Sequence, residues 1–181
     1  MRTRVASLVI VTAVTAFTAV TATSATLGAS QAHAEGIKVG DRAADFDVGQ
    51  SEAGKAVHLK DFKARWVVMT FGAHWCKPCA NELPAWDALA PAFKDNVTFI
   101  AVNISNKPAD GKKFNKKLKI KNMTKVYLPQ DKSATDDQYD TGTFPSTFII
   151  DPKGVVRFIH KGYESGDADV LKKKLGEFLP K

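Results

Sequence analysis

Cysteine is scarce in this chain, and the scarcity narrows its chemistry. Only Cys76 and Cys79 are present among 181 residues. With no second cysteine pair and no His-x-x-x-His spacing, a closed four-ligand zinc site is a poor fit, and no metal is expected. No cysteine lies near the N-terminus, so a thioether-linked lipid has no attachment point there. Charge is missing too: from Val5 to Ala32 there is no Asp, Glu, Lys or Arg. Past that stretch there are no internal repeats and no low-complexity segments, which excludes repeat architectures.

The residues around the uncharged stretch give it a meaning. Arg2 and Arg4 form a short basic start, "VASLVIV" is apolar, and "QAHA" ends with Ala32 and Ala34 in a small-x-small arrangement. This pattern predicts a signal peptide over residues 1–34, cleaved before Glu35. The alternative is an uncleaved anchor facing the periplasm, because the stretch is long enough to cross a bilayer. Either way the remainder is expected in the periplasm or outside the cell, where disulfides persist. Residues 35–181 suit one domain with a sizeable core. The net charge is +7. Eight lysines fall between Lys107 and Lys125, and no nucleic-acid-binding motif accompanies them. They read as a solvated helix face, so neither DNA nor RNA is an expected partner.

The two cysteines lie in "TFGAHWCKPCANELP", Thr70 to Pro84. Two intervening residues close a loop too small to remove much entropy from the unfolded chain, so a purely structural disulfide would gain little. C-x-x-C is instead the spacing that lowers a thiol pKa and allows a disulfide to open and close.

Hydrophobic patterning places this dithiol. "WVVMTFG" (66–72) is a continuous apolar run, as in a central strand buried on both faces. "PCANELPAWDALAPAF" (78–93) reads as a helix with Leu83, Trp86, Leu89, Ala90 and Phe93 inward. Pro78 falls in its first turn, where a missing N–H costs nothing, and Pro84 lies deeper, where it bends the helix. "VTFIAVNI" (97–104) is a second buried strand. "PADGKKFNKKLKI" (108–120) is an amphipathic helix with Phe114, Leu118 and Ile120 inward. "KVYL" (125–128) is a short strand. "STFIID" and "VVRFIHK" are strands joined by the turn "DPKG". "DADVLKKKLGEFL" (167–179) closes the chain with Val170, Leu171, Leu175 and Phe178 inward. "AVHLKDF" (56–62) alternates and predicts an edge strand or hairpin arm. The order of elements gives an α/β sandwich around a mixed sheet.

Cys76 falls where the first strand meets the helix. A helix N-terminus offers unpaired N–H groups and partial positive charge, which favour a thiolate. Cys76 is therefore the expected nucleophile, and Cys79, a turn inward, the resolving thiol. Lys77 between them would favour the thiolate further, and His74 would add charge in mild acid; each has a plain solvated or packing alternative. Trp75 is expected to flank the thiol as an apolar shelf.

The combination W-C-x-P-C with a distant "FPSTFIIDPKGVV" (144–156) resembles extracytoplasmic thioredoxin-like proteins of the TlpA and ResA type, and the resemblance spans the whole exported chain. It implies a thioredoxin-like fold, a central mixed sheet flanked by helices, with an N-terminal hairpin extension and an inserted helix before a cis-proline strand. It implies that Glu82, three residues after Cys79, takes the Cys79 proton. It implies that Pro145 is cis and faces the cysteines, and that Phe144 offers backbone groups to an extended partner. Lys77, Pro78 and Trp75 would complete the substrate-binding surface. Three positions depart from the pattern: Thr70 where cytoplasmic thioredoxins carry a buried Asp, Gly72 where Trp is frequent, and Phe144 before the proline. The implied activity is thiol–disulfide exchange without a cofactor, most simply reduction of specific exported proteins in cytochrome c or copper-protein maturation. Implied partners are proteins with disulfides or thiols and a membrane electron donor, with the chain acting as a monomer. Two alternatives stay open. "VGDRAADF" also begins peroxiredoxins, which place a Thr three residues before the reactive Cys, where this chain has Ala73. A Cu(I) carrier could use both thiolates, with His160 as a third ligand.

Overall fold

The computed structural model describes residues 36–131, 135–139 and 142–180. The expected signal peptide and its cleavage site lie outside the described residues. Among those described, no helix is long and apolar enough to cross a membrane.

The apolar runs become the sheet. β1 (Trp66–Gly72), β2 (Val97–Ser105) and β3 (Thr124–Pro129) are parallel, while β4 (Ser146–Ile150) and β5 (Val156–Lys161) are antiparallel additions, in the order β3-β2-β1-β4-β5. β1 is central because its run is apolar on both faces: Val67, Met69 and Phe71 face one core and Val68 the other, each at most 3% exposed. Burying each such side chain contributes about 1.5–3 kcal/mol.

The Val68 face is covered by α1 (Lys77–Leu89) and α4 (Asp167–Phe178), through Leu83, Trp86, Leu171 and Leu175, with Phe114 of α2 (Pro108–Lys117) packed against the same cluster. The Met69 face is covered by Phe46 and Leu59 of the N-terminal segment and by Tyr139 of α3 (Thr135–Tyr139), a short helix before the strand that follows the cis proline. The lysines of α2 and its exit are exposed or half-exposed, as a solvated face requires.

Two expectations need correction. Residues 56–62 are not an edge strand, and the hairpin-arm alternative holds only at their start. Ala56 makes one antiparallel bridge to Gln50, closing a tight hairpin, and Leu59–Phe62 is a 3-10 turn. The alternation fails as a strand signal because local carboxylates take the backbone donors. The His58 N–H donates to Asp61 Oδ2 at 2.8 Å and the Leu59 N–H to Asp45 Oδ1, so neither can join a ladder. Val170 does not point inward and is 43% exposed. Leu171 and Leu175, one helical turn apart, take the core side of α4, and Val170 is rotated about 100° from Leu171. Phe178 is partly buried and stacks on Trp66, ring centroids 5.4 Å apart.

Candidate active site

β1 ends at Gly72, and a turn returns the chain so that the Cys76 N–H donates to the Ala73 carbonyl at 3.0 Å. Cys76 then caps α1. Its backbone is extended, and its Sγ accepts from the Cys79 backbone N–H at 3.2 Å. The sulfur thus sits where the helix presents unpaired donors. Cys76 and Cys79 form a disulfide, with Cα atoms 5.3 Å apart. Cys76 is 6% exposed and Cys79 fully buried, so only one sulfur can meet a partner.

Gly72 has a specific task. A Cβ there would lie 2.9 Å from Cys79 Sγ. The departure from the large residue frequent in the resembling family is therefore forced by how closely Cys79 packs on the end of β1.

Glu82 follows one turn later and has no solvent exposure. Two hydroxyls hold it. Thr70 on β1 and Thr147 on β4 are direct cross-strand partners, so their side chains stand side by side beneath α1. Thr70 Oγ1 donates to Oε2 and Thr147 Oγ1 to Oε1, each at 2.7 Å. Trp86 Nε1 donates to Thr147 Oγ1 at 3.2 Å, which fixes the hydroxyl for Glu82. Burial pushes the Glu82 carboxyl from about 4.5 up to about 7, against the opposing pull of the Thr147 and Thr70 hydrogen bonds. A carboxyl near neutrality gives and takes a proton readily. Thr70, which looked like the loss of an acid from β1, is the donor to an acid supplied by α1.

The rim beside the cysteines is aromatic. Trp75 is 59% exposed and tilts against Phe144, ring centroids 5.7 Å apart. Phe144 also packs on the cluster of Ala73, Cys76 and Cys79. The Phe144–Pro145 peptide is cis. Ser146 pairs with Phe71, which brings Phe144 and Pro145 to the cysteine end of the sheet. Lys77 and Pro78 are exposed in the first turn of α1. The structure therefore brings Trp75, Cys76, Lys77, Pro78, Cys79, Glu82, Phe144 and Pro145 to one end of the molecule. His74 is engaged elsewhere, its Nδ1 hydrogen-bonded to Ser105 Oγ at 3.0 Å. His160, the third ligand of the copper alternative, pairs with Asp167 Oδ2 at 2.9 Å on the α4 side. Ala73, at the position where peroxiredoxins carry Thr, is fully buried. The sequence reading missed Thr147 and Asn115. Thr147 stands two residues after the cis proline, a spacing that marks it only once β4 is known to pair with β1.

A family model described as the AhpC/TSA family matches residues 39–159. The chain belongs to the AhpC/TSA family. Among relatives in sequence, Thioredoxin-like protein YneN of Bacillus subtilis (strain 168) is 33% identical over 127 residues, covering 70% of this chain and 74% of the relative. Thiol-disulfide oxidoreductase ResA of Bacillus thuringiensis subsp. konkukian is 32% identical over 148 residues, covering 81% and 80% of the two chains. Among solved structures, a thiol:disulfide interchange protein from Bacteroides sp. superposes with a TM-score of 0.66 at 27% identity, covering 78% of this chain and 90% of that one. This AhpC/TSA member is a thioredoxin-like thiol–disulfide oxidoreductase, acting on protein thiols and disulfides.

Proposed function

We propose that the protein is an extracytoplasmic reductant of specific exported proteins, of the kind needed in cytochrome c or copper-protein maturation, recharged by a membrane electron donor. In the reduced form, the Cys76 thiolate attacks one sulfur of a partner disulfide. A Cys76–partner mixed disulfide forms and one partner thiolate leaves. Cys79 then loses its proton to Glu82 and attacks Cys76 Sγ. The Cys76–Cys79 disulfide forms, and the second partner thiolate leaves and takes a proton from solvent. Two electrons pass from the protein to the partner. Trp75 and Phe144 flank the outer sulfur and select an extended apolar segment.

The observation that carries this reading is the unequal exposure of the two sulfurs at a helix N-terminus, with a buried carboxyl beside the inner one. Rapid alkylation in intact cells tests the direction of transfer. The reductant reading expects mostly free thiols at steady state, and a mostly oxidised pair contradicts it. A Cys79→Ser variant is expected to retain its partner as a covalent adduct on Cys76, available for identification.

A further inference from the structure

A cavity of about 10 Å³ lies beside the disulfide, lined by Thr70, Gly72, Cys79, Glu82, Asn103 and Asn115 among others. That volume is at the lower limit for one water molecule. Among the described residues that line this cavity, Asn115 carries a buried polar atom with no hydrogen-bond partner. Asn115, only 2% exposed, uses its Nδ2 to donate to the Tyr127 hydroxyl at 3.2 Å, but its Oδ1 is buried with no hydrogen-bond partner. An acceptor left unsatisfied in the interior is destabilising.

The fold places Asn115 there deliberately. Gly111, one turn earlier on α2, lies so close to the sheet that a Cβ would meet Asn103 Oδ1 at 2.3 Å and the Tyr127 ring at 3.0 Å. Only glycine lets α2 approach this closely and carry Asn115 to the cysteine end of β2. The amide is locked in rotation, because Tyr127 donates onward to Glu52 Oε2 at 2.6 Å and so presents its lone pair to Asn115 Nδ2. Asn103 lines the same space with its Oδ1 accepting from Ser105 Oγ at 2.8 Å.

We infer that Asn115 is a positioning residue that seats one water between Cys79 and Glu82, and that this water carries the proton between them. The inference rests on the reading of Glu82 as the base of the resolving step. The water donates one hydrogen to Asn115 Oδ1 and one to the Glu82 carboxylate, and accepts from the Cys79 thiol. As Cys79 attacks, its proton passes to the water oxygen while the water's proton passes to Glu82. The water is regenerated, Glu82 becomes neutral and Cys79 becomes the thiolate that closes the disulfide. Three partners are typical of a buried water, and one intervening water is within the reach of general-base catalysis. Asp167 and Tyr163 are the other titratable groups that act electrostatically with Glu82.

The test uses reduced protein and the chromogenic disulfide dithiobis-nitrobenzoate in single turnover. Cys76 attack releases the first chromophore, and Cys79 resolution the second. Asn115→Leu is expected to leave the first release unchanged and slow the second roughly tenfold or more, with its pH profile displaced. Asn115→Asp keeps an acceptor oxygen at the same place and is expected to restore the second release to within about threefold of the original. Glu82→Gln should slow the same phase at least as much. A normal second phase in Asn115→Leu with a slowed one in Glu82→Gln overturns the water site alone. A normal phase in Glu82→Gln removes the base reading, and this inference with it. Should Asn115→Leu fail to fold, a high-resolution crystal structure of the unaltered protein decides. An ordered water hydrogen-bonded to Asn115 Oδ1 supports the inference, and an Oδ1 bonded only to protein overturns it.

Discussion

Glu82 and Asp151 are both nearly out of contact with water, at 0% and 6% exposure, yet their surroundings push them in opposite directions. Both sit beside β4, Glu82 against its first turn of sequence through Thr147 and Asp151 just past its end. Burial works against charge on each. At Asp151 it is outweighed: the Val155 and Lys153 N–H groups donate to Oδ1 at 2.9 and 2.8 Å, and Arg157 pairs with Oδ2 at 2.6 Å. Its carboxyl is held below the usual range. At Glu82 the opposing hydrogen bonds come from neutral donors, chiefly the Thr147 and Thr70 hydroxyls with the Trp86 indole beside them, and burial wins. The lesson is that burial alone does not make a carboxyl reactive. The turn acid is neutralised by a cation and backbone dipoles, which makes it structural. The acid beside the disulfide is left under-compensated, and its carboxyl is raised to about 7.

The sharpest way to break this comparison is to remove each charge in turn. Glu82→Gln should lower turnover of a protein disulfide by about 10²–10³-fold while leaving Cys76 alkylation unchanged. The same variant should change how stability depends on pH. Between about 4.5 and about 7 the folded oxidised protein binds more protons at this site than the unfolded chain. Stability therefore falls as pH rises through that window and is flat above it, by about 3 kcal/mol in total. Denaturant melts across pH should show that slope in the unaltered protein and lose it in Glu82→Gln, which becomes the more stable of the two above pH 7.

Asp151→Asn should do the reverse. It should cost about 1–3 kcal/mol at neutral pH through loss of the Arg157 pair, with turnover within about twofold of the original. Its stabilising contribution is present above the ordinary carboxylate pKa and is lost as pH falls through the lowered folded value. Gly72→Ala lies between the two, since it adds a methyl against Cys79 Sγ. A loss of about 1–3 kcal/mol is expected in melts of the oxidised form. Trp75→Ala should have the smallest effect on stability, under about 0.5 kcal/mol for so exposed a side chain. Its signature is a KM for protein disulfides raised severalfold, with the reaction of a small disulfide unchanged.

Much of the active end was legible before any coordinates. β1 and β2 announce themselves as continuous apolar runs, and C-x-P-C at the end of such a run places a cap, a helix and a dithiol together. Pro145 could be assigned a cis bond only through family resemblance, because nothing in a single sequence distinguishes it from any other proline. What stayed hidden depends on contacts between distant segments. Thr147 matters because antiparallel register sets it opposite Thr70, and Asn115 because Gly111 lets α2 close on β2. Residues 56–62 alternated like a strand, but Asp45 and Asp61 captured their backbone donors. Val170 belonged to the apolar set of α4 by composition and was excluded from the core by helical phase.

The central claim is that a carboxyl beside the inner cysteine is held near neutrality by burial, with neutral donors rather than a cation around it. It is tested most directly by following the Glu82 side-chain carboxyl by carbon-13 NMR as the oxidised protein is titrated, with Glu82→Gln to assign the signal. The account predicts a midpoint of about 7. A midpoint near 4.5, the ordinary value for a glutamate, would contradict it.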